Sequence, residues 1–236
     1  MIKNILMVVS STTIVGFSSL TNGATVTSPV GDFDFSVTGT LASDYIWRGQ
    51  SFSDGPAIQG SVNMNHESGL YAMIWGSNVD DKVFSGSDTE IDYYLGYTHK
   101  FTDDITSNLQ LSKFTYLNAK EWNSYNIASS ISAYGFTLGY KYDIGTSVHP
   151  SYTWLGYQHH LPYDMTLSTS YAYGDRKSNK KDYNDWSIGL GKNIFGVNMN
   201  LTYTDTNISS IDCRSMYGKD KACASNWTVS MTKTFQ

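Results

Sequence analysis

The chain has 236 residues, a net charge of −5 and only 16% charged side chains, with no basic stripe, which excludes nucleic acid as a partner. Aromatics make up 14%, prolines number 4 and mean hydropathy is −0.31. After the N-terminus no apolar run approaches the roughly 20 residues of a membrane helix, so a helical membrane protein is excluded as well. What remains is a chain long enough for one sizeable domain or one closed barrel.

Residues 1–23 read as a secretory signal peptide. Lys3 supplies the positive start, residues 5–20 the apolar segment, and the cut falls after Gly23 or Ala24, leaving residues 24–236 as the mature domain. From there period-two alternation recurs to the C-terminus. A first strand is expected over about Phe33–Trp47, with Phe33, Phe35, Val37 and Leu41 on one face and Ser36, Thr38 and Thr40 on the other. Arg48–Pro56 is a polar loop. Strands follow at 57–65 and 70–78, with a loop at 80–88. The fourth strand sets Ile91, Tyr93, Leu95 and Tyr97 against Glu90, Asp92, Tyr94 and Gly96. A fifth spans Ile105–Tyr116, with a slip of register near Lys113-Phe114 that predicts a bulge. A sixth covers Trp122–Ala133 and a seventh starts at Phe136. The eighth, Ser151–His159, has no clear facing. Three more follow around Leu167, Ile188 and Leu201, then a long loop, Asp205–Ala224, and a last strand ending at Phe235.

These segments define an all-β fold, a transmembrane antiparallel up-and-down β-barrel of about 12 strands. Connections after odd-numbered strands are longer and more polar than those after even-numbered ones. Outer-membrane barrels have this asymmetry, and the competing soluble β-sandwich has no reason for it. Cys213 and Cys223 lie close together in the long loop. In an oxidising compartment they pair as a disulfide; two free thiols are the alternative. That loop is also the expected plug of the lumen.

The stretch Asp44-Tyr45-Ile46-Trp47-Arg48-Gly49-Gln50-Ser51 is followed by Asp54-Gly55-Pro56-Ala57-Ile58-Gln59-Gly60. Gly69-Leu70-Tyr71, Trp75-Gly76-Ser77-Asn78-Val79 and Glu90-Ile91-Asp92-Tyr93-Tyr94-Leu95-Gly96-Tyr97 come next. In order and spacing these resemble the TorF family of bacterial porins, also named Gcw_chp. The similarity covers roughly Val37 to Tyr97. It implies an outer-membrane barrel of a Gram-negative bacterium that passes small hydrophilic solutes. Phe235, next to last, resembles the terminal aromatic read by the barrel assembly machinery.

A porin needs a wet lumen with a charge pattern and no catalytic group. The pore-lining candidates are Asp34, Asp44, Arg48, Gln59, Asn63, Glu90, Asp92, Lys100, Lys141 and Asp185. Acids outnumber bases among them, which predicts mild cation preference or neutral solutes. A structural ion-pair network of Arg48, Asp44, Glu90 and Asp92 near a rim is the competing reading. Trp47, Trp75, Trp122, Trp186 and Trp227 are assigned to aromatic girdles at the lipid interface, with a stacking path inside the pore as the alternative. No cofactor or metal is expected, and none of His66, His99, His149, His159 and His160 completes a catalytic motif, so a barrel hydrolase ranks last. A receptor, adhesin or structural barrel working through its outer loops stands between. The loop carrying Arg176, Lys177, Lys180 and Lys181 is its candidate contact with lipopolysaccharide phosphates, alongside outer-membrane lipid around the barrel.

Overall fold

Alternation with period two makes each segment two-faced, and a sheet whose two faces differ closes most economically into a barrel, where no edge is left bare. The structure, a computed structural model, describes residues 24–145, 147–177 and 181–235. The proposed signal peptide, Lys180 and Gln236 lie outside them. The strands are β1 (Ala24–Ser28), β2 (Gly31–Ala42), β3 (Ile46–Trp47), β4 (Gln50–Ser51), β5 (Ala57–His66), β6 (Leu70–Asn78), β7 (Thr89–Lys100), β8 (Ile105–Tyr116), β9 (Ser124–Ala133), β10 (Phe136–Asp143), β11 (Ser151–Leu161), β12 (Met165–Asp175), β13 (Tyr183–Ile194), β14 (Val197–Thr206) and β15 (Asn226–Phe235). Among the described residues one α-helix, α1 (Ser210–Tyr217), lies in the last long loop, followed by a 3-10 turn at Lys221–Cys223.

Twelve strands form a closed antiparallel ring. β2 pairs with β5, each later strand pairs with the next, and β15 returns to β2. β15 covers Val37–Ala42 of β2, and β1 covers Gly31–Phe35 on the same edge. Short turns gather at one end, at residues 67–69, 101–104, 134–135, 162–164 and 195–196. Longer connections gather at the other: 43–56, 79–88, 117–123, 144–150, 176–182 and 207–225.

β7 displays the two faces. Tyr93, Leu95 and Tyr97 are exposed on the outside, while Glu90, Asp92 and Tyr94 point inward at 1%, 1% and 6% exposure. A soluble fold would bury the apolar row; here it forms an outward band continued by Leu109, Leu111, Ile131, Leu138, Leu155, Ile188 and Val229. Inside, hydroxyls and amides meet across strands, as in Thr40–Thr232 at 2.9 Å and Ser170–Ser187 at 2.7 Å.

Two expectations are corrected here. The first barrel strand ends at Ala42 rather than Trp47, because residues 43–56 turn into the lumen. The bulge near Lys113-Phe114 is absent: the pairing of β8 with β7 and β9 runs unbroken through both residues. Phe114 and Tyr116 are inward residues that happen to be aromatic. The same fact accounts for β11, whose inward row begins with Tyr152 and Trp154.

At the short-turn end Tyr134, Tyr163 and Phe195 sit at φ 52°, 64° and 51°. Each is followed by another positive-φ residue, giving two-residue turns at 134–135 and 195–196 and a three-residue turn at 162–164 that suit the twist of antiparallel hairpins. An aromatic ring in that conformation is strained by on the order of 1 kcal/mol. All three rings stay exposed, Phe195 at 99%.

Candidate functional site

The stretch Asp44–Ser53 crosses the lumen. β3 and β4 pair as Ile46↔Ser51 and Trp47↔Gln50, and Phe52 donates its N–H to the Tyr45 carbonyl at 2.7 Å. Between them Arg48 (φ 51°) and Gly49 (φ 76°) make a tight turn. A two-stranded hairpin this short has no stability of its own and takes its place from the walls. Trp47 packs edge-on against Phe114 of β8, ring centroids 5.4 Å apart. Lys141 of β10, the strand opposite β2 in the ring, lies over both Trp47 and Phe114, 4.8 and 4.7 Å from the ring centres. Arg48 stacks on Tyr152 of β11 at 4.0 Å. A Cβ added at Gly49 would meet Thr206 and Asp185 at 2.8 and 3.1 Å, so the turn touches β14 and β13 as well. The hairpin therefore reaches from β2 to the far wall. Behind it Tyr45, Phe52, Val83, Phe84, Phe114 and Tyr116 form a packed cluster at the long-loop end.

The hairpin's stem is fixed by Asp44. Its carboxylate accepts from Ser51 (2.8 Å), Ser53 (2.9 Å) and the Asn226 side chain (2.7 Å). Burial pushes this carboxyl above its usual range even though the hydroxyl donors favour its charge.

Charges of both signs ring the crossing. Glu90 accepts from Tyr116 at 2.7 Å, Asp92 from Tyr94 at 2.7 Å, and Asp185 from Tyr152 at 2.9 Å. Among the described residues no ion pair within 4.0 Å joins these carboxylates to Arg48 or Lys141. Glu90 Oε2, Asp92 Oδ1 and Arg48 Nε have no hydrogen-bond partner there. The ion-pair network expected of Arg48, Asp44, Glu90 and Asp92 is thus replaced by a set of tyrosine-bonded carboxylates and ring-stacked cations.

Of the ten lumen candidates, the structure brings Arg48, Glu90, Asp92, Lys141 and Asp185 together around the hairpin, with Asp44 at its stem. Gln59 and Asn63 line the wall, bonded to Ser77 (3.4 Å) and Ser61 (3.1 Å). Asp34 and Lys100 sit at the short-turn rim, where Asp34 accepts from Thr25 (2.7 Å) and Lys100 pairs with Asp103 (2.7 Å). Of the five tryptophans assigned to girdles, Trp186 and Trp227 lie on the outer face, paired with Tyr171 and packed on Tyr203. Trp47, Trp75 and Trp122 are not at the lipid interface. They pack on the inner cluster, Trp75 against Tyr45 and Trp122 against Phe84.

Three further inner aromatics, Tyr71, Trp154 and Tyr183, each lie flat over a glycine directly across the strand pair. A Cβ on Gly96, Gly139 or Gly174 would stand 2.3, 2.0 or 2.3 Å from its ring. Glycine lets the ring hug the wall instead of entering the lumen. Gly139→Ala is accordingly expected to tilt Trp154 inward and destabilise the barrel by about 1–3 kcal/mol, read by thermal unfolding, with Trp154→Ala restoring most of the loss.

The loop expected to plug the lumen, Asp205–Ala224, instead lies against the hairpin from outside, a correction with a clear cause. Residues 43–56 occupy the space, and Cys213 and Cys223 are bonded to each other around α1. Ser209 caps the helix by accepting from the Asp212 N–H at 3.1 Å, and Gly218 ends it at φ 69°. Tyr217 donates to the side-chain carbonyl of Gln50. Lys219 pairs with Asp54 at 2.6 Å and also with Asp80. Burial pushes Asp80 up, but the Lys219 ammonium and a backbone N–H outweigh it and hold the carboxyl below its ordinary 3.8. Burial opposes the charge on Lys219 too, and the two aspartates more than offset it, holding the ammonium above its ordinary 10.5. The Asp80 contribution is therefore full above pH 3.8 and lost as the pH falls through its lower folded value. The Lys219 contribution is full below pH 10.5 and lost above it. Proteolysis within residues 79–88 is expected to accelerate at both extremes and stay flat between.

The histidines are scattered. His66 bonds Val30 O at 2.9 Å, His99 packs on Phe101, and His159 and His160 are both exposed on neighbouring positions of β11. No group of three or more His, Cys, Asp or Glu able to hold a metal occurs among the described residues.

Residues 24–235 match the model of a family described as a bacterial protein of unknown function, Gcw_chp. The chain belongs to the Gcw_chp family. No curated protein matches the sequence. The Gcw_chp barrel is similar to a solved KdgM porin in complex with disordered oligogalacturonate, with 10% identity, TM-score 0.60, and 85% of this chain and 99% of that one covered. It is also similar to the NanC porin, with 11% identity, TM-score 0.54, and coverage of 86% and 99%. At such identities the likeness is one of fold, and it makes this Gcw_chp chain a porin-like barrel.

Proposed function

We propose that the protein is a TorF-type porin of a Gram-negative outer membrane, passing small hydrophilic solutes. In this reading residues 1–23 are a cleaved leader, lipid and lipopolysaccharide surround the barrel, and the barrel assembly machinery inserts it. The observation that carries the proposal is the inversion of the two faces: an apolar band outside and a wall of hydroxyls and amides inside, with Glu90, Asp92, Asp185, Arg48 and Lys141 gathered at one crossing. Acidic lumen candidates outnumber basic ones, which favours mild cation preference or neutral solutes over anions.

Single-channel recording of the refolded barrel in a planar bilayer under a salt gradient tests this. Discrete ohmic steps with a weakly cation-selective reversal potential are expected; clear anion selectivity would remove the solute assignment. The crossing hairpin favours one second reading, a receptor or structural barrel acting through its outer loops. Electrical silence from a barrel verified as folded by heat-modifiable gel mobility would bring that reading forward.

A further inference from the structure

We propose that Tyr217 and Lys219 are positioning residues that hold the β3–β4 hairpin across the lumen, and that the ring closed by Cys213 and Cys223 is the frame presenting them. This rests on the porin reading for its consequence, conduction, but not for its geometry.

The hairpin needs holding, since it is paired at only two positions and carries a left-handed arginine at its tip. From the walls it gains ring contacts. From the 207–225 loop it gains side-chain bonds from two neighbours in one short segment. Tyr217 donates to Gln50 in β4, and Lys219 pairs with Asp54 just beyond it. Lys219 also pairs with Asp80, whose own N–H donates to Phe52 O at 2.7 Å. One ammonium thus ties three loops over one point. Both residues stand between the bonded cysteines, whose sequence separation is 10, so the segment cannot unravel without losing the disulfide. Cys213 is fully buried and Ser209 and Gly218 cap the helix ends, which sets the direction in which Tyr217 leaves the helix. Tyr217 further packs edge-on against Phe52, centroids 6.2 Å apart. A solvated loop serving only to connect α1 to β15 needs none of these bonds.

Two variants test the assignment: Tyr217→Phe with Lys219→Ala, and Cys213→Ser with Cys223→Ser. Both are refolded in detergent and checked for heat-modifiable mobility. Amide hydrogen exchange is read at residues 46–51 and, as reference, in β7–β9. Exchange of the hairpin amides is expected to quicken about tenfold or more in both variants with the reference strands unchanged. Larger single-channel steps than the parent's are expected alongside. Hairpin protection equal to the parent's in both variants overturns the proposal. So does equal loosening of hairpin and reference strands, or a larger conductance without faster hairpin exchange. Faster hairpin exchange with silence from every variant and the parent leaves the two positioning residues in place and removes the porin reading instead.

Discussion

Gly49→Val is expected to lift the hairpin off the far wall and, on the proposed porin reading, to enlarge the conducting path severalfold. Two independent penalties coincide at this residue. Its φ of 76° is one that an L side chain adopts at a cost of roughly 1–2 kcal/mol, more for a β-branched one. There is also no room: a Cβ would stand 2.8 Å from Thr206, 3.1 Å from Asp185 and 3.1 Å from the Asp205 carbonyl oxygen. Those neighbours belong to hydrogen-bonded barrel strands and do not yield, so the hairpin moves. Because its own ladder is so short, displacement costs the barrel little, and heat-modifiable mobility should match the parent. Conductance in planar bilayers, together with faster cleavage of residues 44–53 by added protease, checks the result. Parent-sized steps from a folded Gly49→Val barrel would mean that solutes pass beside the hairpin rather than through its place.

The second large effect is expected at Lys141. The residue is 6% exposed, its ammonium faces Trp47 and Phe114, and among the described residues it is the only lysine of the charges gathered at the crossing. Lys141→Met keeps the length and the ring contacts but leaves Glu90 and Asp92, each 1% exposed and each with one unpartnered oxygen, without their nearby cation. Loss of a cation near two buried, incompletely bonded carboxyls typically costs on the order of 1–3 kcal/mol. Unfolding by urea in lipid vesicles should come at clearly lower denaturant, and any channel should turn more strongly cation-selective. Adding Glu90→Gln to Lys141→Met should recover part of both changes. A single variant as stable and as weakly selective as the parent would place the conducting path away from this cluster.

The ring of strands was legible because membrane and lumen impose opposite demands on adjacent residues. In β7 the rows of Ile91–Tyr97 and Glu90–Asp92 separate on sight, and the order of long and short connections then closes the barrel. Alternation tells which residues share a face but not which face meets lipid, and there the reading failed. Trp47 and Trp75 look like girdle residues, yet the long-loop end of the lumen is itself an apolar core built to receive a hairpin. Phe114 mimicked a register slip for the same reason. Asp44-Tyr45-Ile46-Trp47-Arg48-Gly49-Gln50-Ser51 stood out as a motif, but with a bulky arginine rather than Asn, Asp or Gly before Gly49 its tight turn read only as the start of a polar loop. Tyr217 and Lys219 left no trace in any periodicity, since a loop bond depends on where three separate loops meet in space.

The seam of the barrel has one more consequence. β2 is a template shared by two strands from opposite ends of the chain: Phe235 sits across from Val37 and Ala24 across from Phe35. Without β1, the Gly31–Phe35 edge at the short-turn rim would present a row of bare N–H and C=O groups, a template for another strand. The cheapest cure is a strand from a neighbouring molecule. A chain beginning at residue 29 should therefore fold and then pair through this notch into seam-linked dimers, visible as a doubled mass on an unheated gel.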